Sequence, residues 1–307
     1  MMAPNILSQL RNYEKISLIY ILLTALIALF AQVPTWQDIL LQHAVLFLVI
    51  IMVAVLLENT SFSALQHLRN WYLFLLFPIL FKELTYLHSA LFPHYLEAFL
   101  ISSDSYFFSH HLSFVSTLRQ YWLANEIMAF SYWSYYLLLP GIGISLHIAR
   151  GHHAMLQYIF RVCFAFLACY LIFILIPVRG PHHTLTGLDP TTLEGGFFYQ
   201  TILFMQSKGS TVGAAFPSSH VAVAWVAIFE VRQLNKTVYH VCAVLMSLLT
   251  LSVFYLGYHY VLDAVFGYAL ALVLLYILNK LNIGRVPINR NPVLNANFNF
   301  VAGSDRD

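Results

Sequence analysis

Long apolar runs alternate with short polar segments over most of the chain. They cover about 16–33, 39–57, 71–92, 122–149, 155–176, 218–232, 238–256 and 260–281. A helix needs about 20 predominantly apolar residues to cross the hydrocarbon core of a bilayer, and most of these runs approach that length. The pattern therefore predicts an all-α fold, a polytopic transmembrane helical bundle of about eight spans.

The first run follows a polar stretch that ends in Arg11 and Lys15. A signal peptide is the alternative, but the length of the run and the lack of a small-x-small cleavage site favour a retained span. The third run carries Lys82 and Glu83. Since a charge inside a span costs about 2.5–3.5 kcal/mol on insertion scales, both side chains are expected to face protein or the interface.

The remaining segments divide the chain into three parts. Residues 93–121 are polar and aromatic in short pieces, which favours an interfacial helix or lid over a span. Residues 282–307 are rich in Asn and are predicted to form a disordered tail. We therefore expect N-terminal spans with an interfacial segment in 1–121, a core of spans in 122–281, and a tail in 282–307.

Composition supports the membrane class. The 307 residues are 60% hydrophobic and only 9% charged, which lies outside the range of soluble domains. A formal net charge of +2 gives no reason to expect nucleic-acid binding. The three cysteines all fall in apolar runs and are predicted to be small core residues rather than disulfide partners.

The basic residues are distributed unequally between the two faces that eight spans would create. Ten lie on the face that holds both termini, and three lie on the other. The ten are Arg11, Lys15, Arg69, Arg150, Arg232, Lys236, Lys280, Arg285, Arg290 and Arg306; the three are Arg119, Arg179 and Lys208. By the positive-inside rule both termini are expected in the cytoplasm, and the long loop 177–217 on the periplasmic or lumenal side.

A polar loop turns into the sixth run at Pro217-Ser218-Ser219-His220. Proline suits the first helical position and serine is a favoured N-cap, so a helix is predicted to begin here. The free amides and the positive dipole end of a helix start favour an anion. Ser218 and Ser219 are therefore candidates for binding a phosphate.

A second histidine, His259, stands at the head of the eighth run, four residues before Asp263. On one helix this spacing would place the two side chains on the same face, where the carboxylate could fix the imidazole tautomer. One helix in and one helix back separate His220 from His259. Both imidazoles are thus expected on the same face of the membrane.

These residues, with Arg179 at the end of the fifth run, can perform phosphoryl transfer. His259 would attack phosphorus, and His220 would protonate the leaving alkoxide. Arg179, the two serines and the amides at the start of the sixth run would hold the oxygens on which charge develops. The phosphohistidine would then be broken by water in a phosphatase, or by an alcohol in a phosphotransferase.

The order Arg-x-Pro, Pro-Ser-Ser-His and His-x-x-x-Asp resembles the three signatures of the type 2 phosphatidic acid phosphatase superfamily. Gly-Tyr-His-Tyr-Val-Leu-Asp at 257–263 is most similar to its inositol phosphorylceramide synthase-like branch, the inositolphosphotransferases. The resemblance covers about residues 155–281, and it implies that 122–281 form the catalytic phosphatase or phosphotransferase core. It implies a helical membrane bundle, a lipid substrate in the bilayer, a phosphohistidine on His259, an acid role for His220 and phosphate binding by Ser219.

Two cations of the phosphatase pattern are replaced in this chain. Ile172 stands where the pattern has a lysine, and Val253 where it has an arginine. Lys208 and His182 are the candidates to take over phosphate binding, with an ordinary loop charge as the alternative for Lys208.

Three other classes of protein remain as alternatives. A transporter usually carries its ionisable groups near the midplane of the membrane in broken helices. A vanadium-dependent haloperoxidase uses a similar constellation but is soluble, and a non-catalytic membrane protein would tolerate loss of the histidines. No cofactor and no metal site are predicted, since the adjacent pairs His110-His111, His152-His153 and His182-His183 are typical of solvated loops.

Overall fold

The computed structural model describes residues 6–283 except 34, 59, 61, 93, 109–114, 186–187 and 233. The predicted tail from 284 onward and the pair His110-His111 thus lie outside the described residues. The helices are α1 Ile6–Gln9, α2 Asn12–Ala31, α3 Trp36–Leu57, α4 Ser63–Trp71, α5 Leu73–Leu91, α6 Glu97–Phe107, α7 Trp122–Arg150, α8 His152–Leu175, α9 Phe197–Gly209, α10 Ser219–Val231, α11 Lys236–Tyr255 and α12 Val261–Lys280.

Six of these helices, α2, α3, α7, α8, α11 and α12, are long and apolar enough to cross a membrane. This confirms the all-α polytopic bundle. The other two predicted spans form α5, which contains Pro78, and α10, which has only 13 residues. A helix of that length is about 20 Å long, against a hydrocarbon core of about 30 Å.

Helix α10 is the centre of the bundle. It contacts α7, α8, α11 and α12, and most of its side chains are buried. The end of α10 away from Ser219 is fixed by an ion pair between Arg161 of α8 and Glu230, and Arg161 also donates to Asn279 Oδ1 at 2.7 Å. Because a buried charge is costly unless it is paired, this network explains an arginine inside an apolar run.

The amino-terminal helices are joined by a second buried ion pair. Arg69 of α4 donates to both carboxylate oxygens of Glu14 in α2, at 3.1 and 2.9 Å, and also pairs with Glu58. Both side chains of the Arg69–Glu14 pair are fully buried. This contact fixes the start of α2 against the segment that leads into α5.

The segment expected to lie outside the spans contains α6, an 11-residue helix that is too short to cross a bilayer. Its Asp104 carboxylate accepts from the amides of Val261 and Leu262, at 2.8 and 3.1 Å. A carboxylate at a helix N-terminus satisfies free amides and complements the dipole. Helix α6 therefore fixes the start of α12, and its placement at the interface stays a prediction.

The cysteines agree with the expectation from sequence. Cys163, Cys169 and Cys242 are buried and free. They contribute small apolar side chains to the core of the bundle.

Candidate active site

Backbone hydrogen bonds bring the three signature segments together at one end of the bundle. Val178 donates to the carbonyl of Gly213, and Ala215 donates back to the carbonyl of Val178, each at 3.0 Å. Ser218 donates to the carbonyl of Asp263 at 3.0 Å. The loop that carries Arg179 is thus tied to the start of α10, and the start of α10 to the start of α12.

Helix α10 begins one residue later than predicted. Ser218 is the N-cap, and its hydroxyl accepts from the amide of Val221. This side chain is fully buried and serves the helix, so the structure does not bring it to a surface that a substrate could reach. Ser219, the first helical residue, lines the large cavity described below.

The nucleophile candidate His259 lies in the turn before α12 and not on the helix. The turn needs Gly257, whose φ is +83° and whose Cβ, if present, would lie 2.5 Å from the carbonyl oxygen of Leu188. The carbonyl of Val253 accepts from the amides of both Tyr258 and His259 at 3.1 Å. The expectation that His259 and Asp263 share one helical face is therefore wrong, because α12 begins only at Val261.

The imidazole of His259 is held chiefly by a backbone carbonyl. Nδ1 lies 2.8 Å from the carbonyl oxygen of Ala215 and 3.5 Å from Oδ2 of Asp263. Since a carbonyl can only accept, Nδ1 carries the proton and Nε2 has the free lone pair. The sequence analysis expected Asp263 to fix the tautomer of His259, but the carbonyl of Ala215 is the nearer partner and fixes it.

Asp263 also has a structural role at the start of α12, which no sequence pattern indicates. Its Oδ2 accepts from the amide of Tyr260 at 2.9 Å, so the carboxylate also closes the first turn of α12. Its Oδ1 is buried and has no partner among the described residues. The carboxylate lies close enough to His259 to stabilise a positive charge on the ring.

His220 lies across from His259, with 6.1 Å between the two ring centroids. Its Nε2 is 3.0 Å from the hydroxyl of Tyr132, which also accepts from Nε2 of Gln206 at 2.8 Å. Its Nδ1 is buried without a partner in the described part of the chain. One phosphoryl group could therefore contact both imidazoles.

Both histidines line a cavity of about 1120 Å³, together with Ser219, His182 and Lys208. The cavity continues along α5 from Tyr86 to Phe74, between mainly aromatic and aliphatic side chains, and reaches Trp71 at the end of α4. Twelve residues of helix correspond to about 18 Å. The polar end with the histidines is thus continuous with a long apolar compartment.

Two tyrosine hydroxyls in this cavity have no hydrogen-bond partner among the described residues. They belong to Tyr135, whose ring centroid is 5.1 Å from that of His220, and to Tyr258, which precedes His259. Burial raises the pKa of Tyr258 well above its usual value, so its hydroxyl keeps its proton and can donate. The sequence held a signal for both, since Tyr258 lies within the third signature and Tyr135 is three residues from Tyr132 on one helical face.

Arg179 is not brought to the cavity. Its guanidinium is paired with the carboxylate of Glu97 in α6, with Nε at 2.8 Å, and its charge lies 5.0 Å from the ring centre of Tyr95. No sequence pattern indicates this pair, whose members are 82 positions apart.

The two replacement candidates differ in charge. The Lys208 side chain is exposed at the cavity edge. His182 places Nδ1 3.0 Å from the carbonyl of Gly257, and burial, assisted by the neighbouring His183, lowers its pKa to about 4. At neutral pH His182 is therefore an uncharged hydrogen-bonding group, whereas Lys208 is a cation.

No cluster of three or more potential metal ligands occurs within the described ranges. The PAP2 superfamily model matches residues 97–277, a range that includes α6 and both of its contacts to the site. No curated protein and no solved structure shows significant similarity to the chain.

Proposed function

The chain belongs to the PAP2 superfamily, and on that premise we propose that it cleaves a phosphate ester of a membrane lipid through a phosphohistidine on His259. Membership in the family and the six apolar helices fit a membrane phosphatase. The observation that carries the finer proposal is the pair His259 and His220, whose ring centroids lie 6.1 Å apart at the polar end of a largely apolar cavity.

In the first step Nε2 of His259 attacks phosphorus while the bond from phosphorus to the leaving alcohol oxygen breaks. This step needs His220 as the imidazolium, and a bound phosphate anion would favour that charge against the burial that lowers the pKa of His220. Nε2–H then donates to the Tyr132 hydroxyl, and Nδ1–H gives its proton to the leaving oxygen. His220 becomes neutral, and the alcohol leaves uncharged. The carboxylate of Asp263 stabilises the positive charge that develops on His259.

In the second step neutral His220 takes a proton from water or from an alcohol, whose oxygen attacks the phosphohistidine. The N–P bond breaks, and its electron pair returns to Nε2 of His259. Water gives a phosphatase, and an alcohol gives a phosphotransferase of the inositolphosphotransferase type. Both outcomes use the same residues.

The phosphate oxygens need donors in both steps. Ser219 at the start of α10, Tyr135 and Tyr258 line the same cavity as the two imidazoles, and their amide and hydroxyl groups are the candidate donors. Such donors stabilise the transition state when they are already oriented toward the developing charge. Lys208 is a further candidate, and Arg179 could contribute only after it leaves Glu97.

A lipid substrate follows from the shape of the cavity. Its apolar part along α5 suits a hydrocarbon chain, and burial of each methylene group contributes about 0.8 kcal/mol. The distribution of basic residues supports a topology with both termini in the cytoplasm and the histidines on the periplasmic or lumenal side. A cysteine introduced in 188–207 should then react with an impermeant thiol reagent added from outside.

The test is covalent labelling of the purified protein. A radiolabelled phospholipid or lipid phosphate should leave an acid-labile, base-stable label on the peptide that contains His259. His259→Ala should lose the label and turnover, whereas His220→Ala should regain part of its rate with an aryl phosphate, whose leaving group needs no proton. His240→Ala is the matched control, since His240 is exposed at the far end of α11. Label on His220, or label that persists in His259→Ala, would contradict the mechanism.

A further inference from the structure

The same cavity contains a buried carboxylate that the proposed mechanism does not use. Glu83 of α5 lines the cavity, yet its side chain is only 3% exposed. Its Oε2 accepts from Nε2 of Gln42 at 3.1 Å and lies 2.8 Å from Nε2 of His43. The prediction that Glu83 faces protein is confirmed, and α3 supplies the partners.

The other oxygen of Glu83 is left without a donor. Oε1 is buried and has no partner in the described part of the chain. A buried acceptor that lacks a hydrogen bond destabilises the folded protein, and more so when it is charged. A ligand in the cavity that offers a hydrogen-bond donor to Oε1 would remove this cost.

We propose that Glu83 forms an alcohol-binding subsite, in which Oε1 accepts a hydrogen bond from a hydroxyl of the alcohol that leaves or receives the phosphoryl group. This inference rests on the proposed function, because only phosphoryl transfer gives an alcohol a place beside the histidines. The proposed function explains how the phosphate is bound and cleaved, and the subsite adds how the alcohol part of the substrate is recognised.

The charges around Glu83 favour a hydroxyl over an ammonium group. Two lysines, Lys82 and Lys208, and a second carboxylate, Asp38, line the same cavity. Lys82, which precedes Glu83 on α5, donates to the carbonyl of Ser210 at 2.8 Å. A hydroxyl can donate to Glu83 without adding a positive charge to a lining in which two lysines already balance two carboxylates.

The subsite and the imidazoles line one cavity. The hydroxyl of Thr211 donates to the carbonyl of Phe81 at 3.2 Å, two residues before Glu83, and the carbonyl of Ala215 contacts His259. Residues 211–215 limit the separation of these two contacts to at most about 18 Å. A hydroxyl-bearing group that extends along the cavity could contact Glu83 while its phosphate lies between the histidines.

The experiment separates transfer from hydrolysis. An aryl phosphate is supplied with increasing glycerol, and the ratio of glycerol phosphate to inorganic phosphate is measured for the wild type and Glu83→Gln. We expect a tenfold to hundredfold lower preference for glycerol in the variant, and aryl phosphate hydrolysis within about twofold of wild type, because one hydrogen bond to a charged group contributes about 1.5–3 kcal/mol. Glu230→Gln, a buried carboxylate at the far end of α10, should leave the ratio unchanged.

A binding measurement gives an answer that does not need turnover. Hexyl glucoside below its micellar concentration should raise the unfolding temperature of the wild type and not that of Glu83→Gln, whereas hexyltrimethylammonium should raise neither. Equal responses of the two proteins in both experiments would overturn the subsite and leave water as the partner of Glu83. A larger response to the ammonium would overturn the assignment to a hydroxyl. If the wild type does not hydrolyse the aryl phosphate at all, the result would contradict the proposed function and not the subsite alone.

Discussion

Removal of the Tyr258 hydroxyl should lower activity and leave stability unchanged or improved. Its oxygen is buried, has no partner among the described residues and lines the cavity beside His259. Tyr258→Phe keeps the ring, whose centroid is 5.4 Å from that of His182 and 5.6 Å from that of Tyr132, so the packing of the site is retained. The variant thus removes a donor that only a substrate can use.

The magnitude follows from the kind of bond that is lost. A hydrogen bond to a charged group contributes about 1.5–3 kcal/mol, and each 1.36 kcal/mol changes a rate about tenfold. We expect kcat/KM to fall roughly 10–100-fold in Tyr258→Phe and in Tyr135→Phe. Because an unsatisfied buried hydroxyl costs folding free energy, neither variant should have a lower Tm than the wild type.

The assay combines aryl phosphate hydrolysis with thermal unfolding in one detergent. Tyr158→Phe is the matched control, since the Tyr158 hydroxyl is fully buried, donates to the carbonyl of Leu139 at 2.8 Å and does not line the cavity. That variant should lose stability by about 1–3 kcal/mol and keep its activity. A lower Tm with full activity in Tyr258→Phe would refute the reasoning, because the hydroxyl would then be structural.

Four further outcomes are expected. Glu97→Gln should strengthen inhibition by inorganic phosphate several-fold, because the charge that holds Arg179 is removed; an equal loss of Tm in Glu97→Gln and Arg179→Ala with unchanged inhibition would make the pair purely structural. Asp104→Asn should cost about 0.5–2 kcal/mol of stability in thermal unfolding, since the start of α12 loses a charged cap. On acidification from pH 6.5 to pH 4 the wild type should lose more Tm than His182→Gln: the pKa of His182 is lowered to about 4, so the unfolded chain binds a proton in this window that the folded chain does not. A phosphodiester should have a higher kcat/KM than the monoester of the same alcohol.

The spans could be predicted from the sequence because a bilayer imposes a length and a composition on each helix. Six of them are confirmed by helix length and hydropathy, and the apolar character of α10 is evident even though it is too short to cross alone. The order of the three signatures also placed His220 and His259 together. The residue types and spacing within the signatures were therefore sufficient to predict that the two imidazoles lie at the same end of the bundle.

What the sequence could not predict depends on contacts between distant segments. The bond from His259 to the carbonyl of Ala215 uses a backbone atom, which carries no residue-type signal. Glu97 and Asp104 lie on α6 outside every signature, yet the first holds Arg179 and the second caps α12. The eighth span was predicted to start at about 260, and α12 starts at Val261. The position of His259 in the turn before the helix was missed, because the i, i+4 spacing fits both a helix and a turn that leads into one.

The charge balance of the cavity connects the replaced cations with the substrate. The cavity lining holds two lysines and two carboxylates, namely Lys82, Lys208, Asp38 and Glu83. Arg179 is balanced by Glu97, and the signature positions for two more cations hold Ile172 and Val253. The donors that remain beside the imidazoles are neutral hydroxyls and amides.

Such donors suit the single negative charge of a phosphodiester better than the double negative charge of a monoester, because desolvation of a double charge requires cations nearby. A phosphodiester also carries an alcohol on each side of phosphorus, so one can leave toward His220 while the other stays attached. The two replaced cations distinguish this chain from the lipid phosphate phosphatases. Their replacement favours a reaction in which the head group is transferred together with its phosphate.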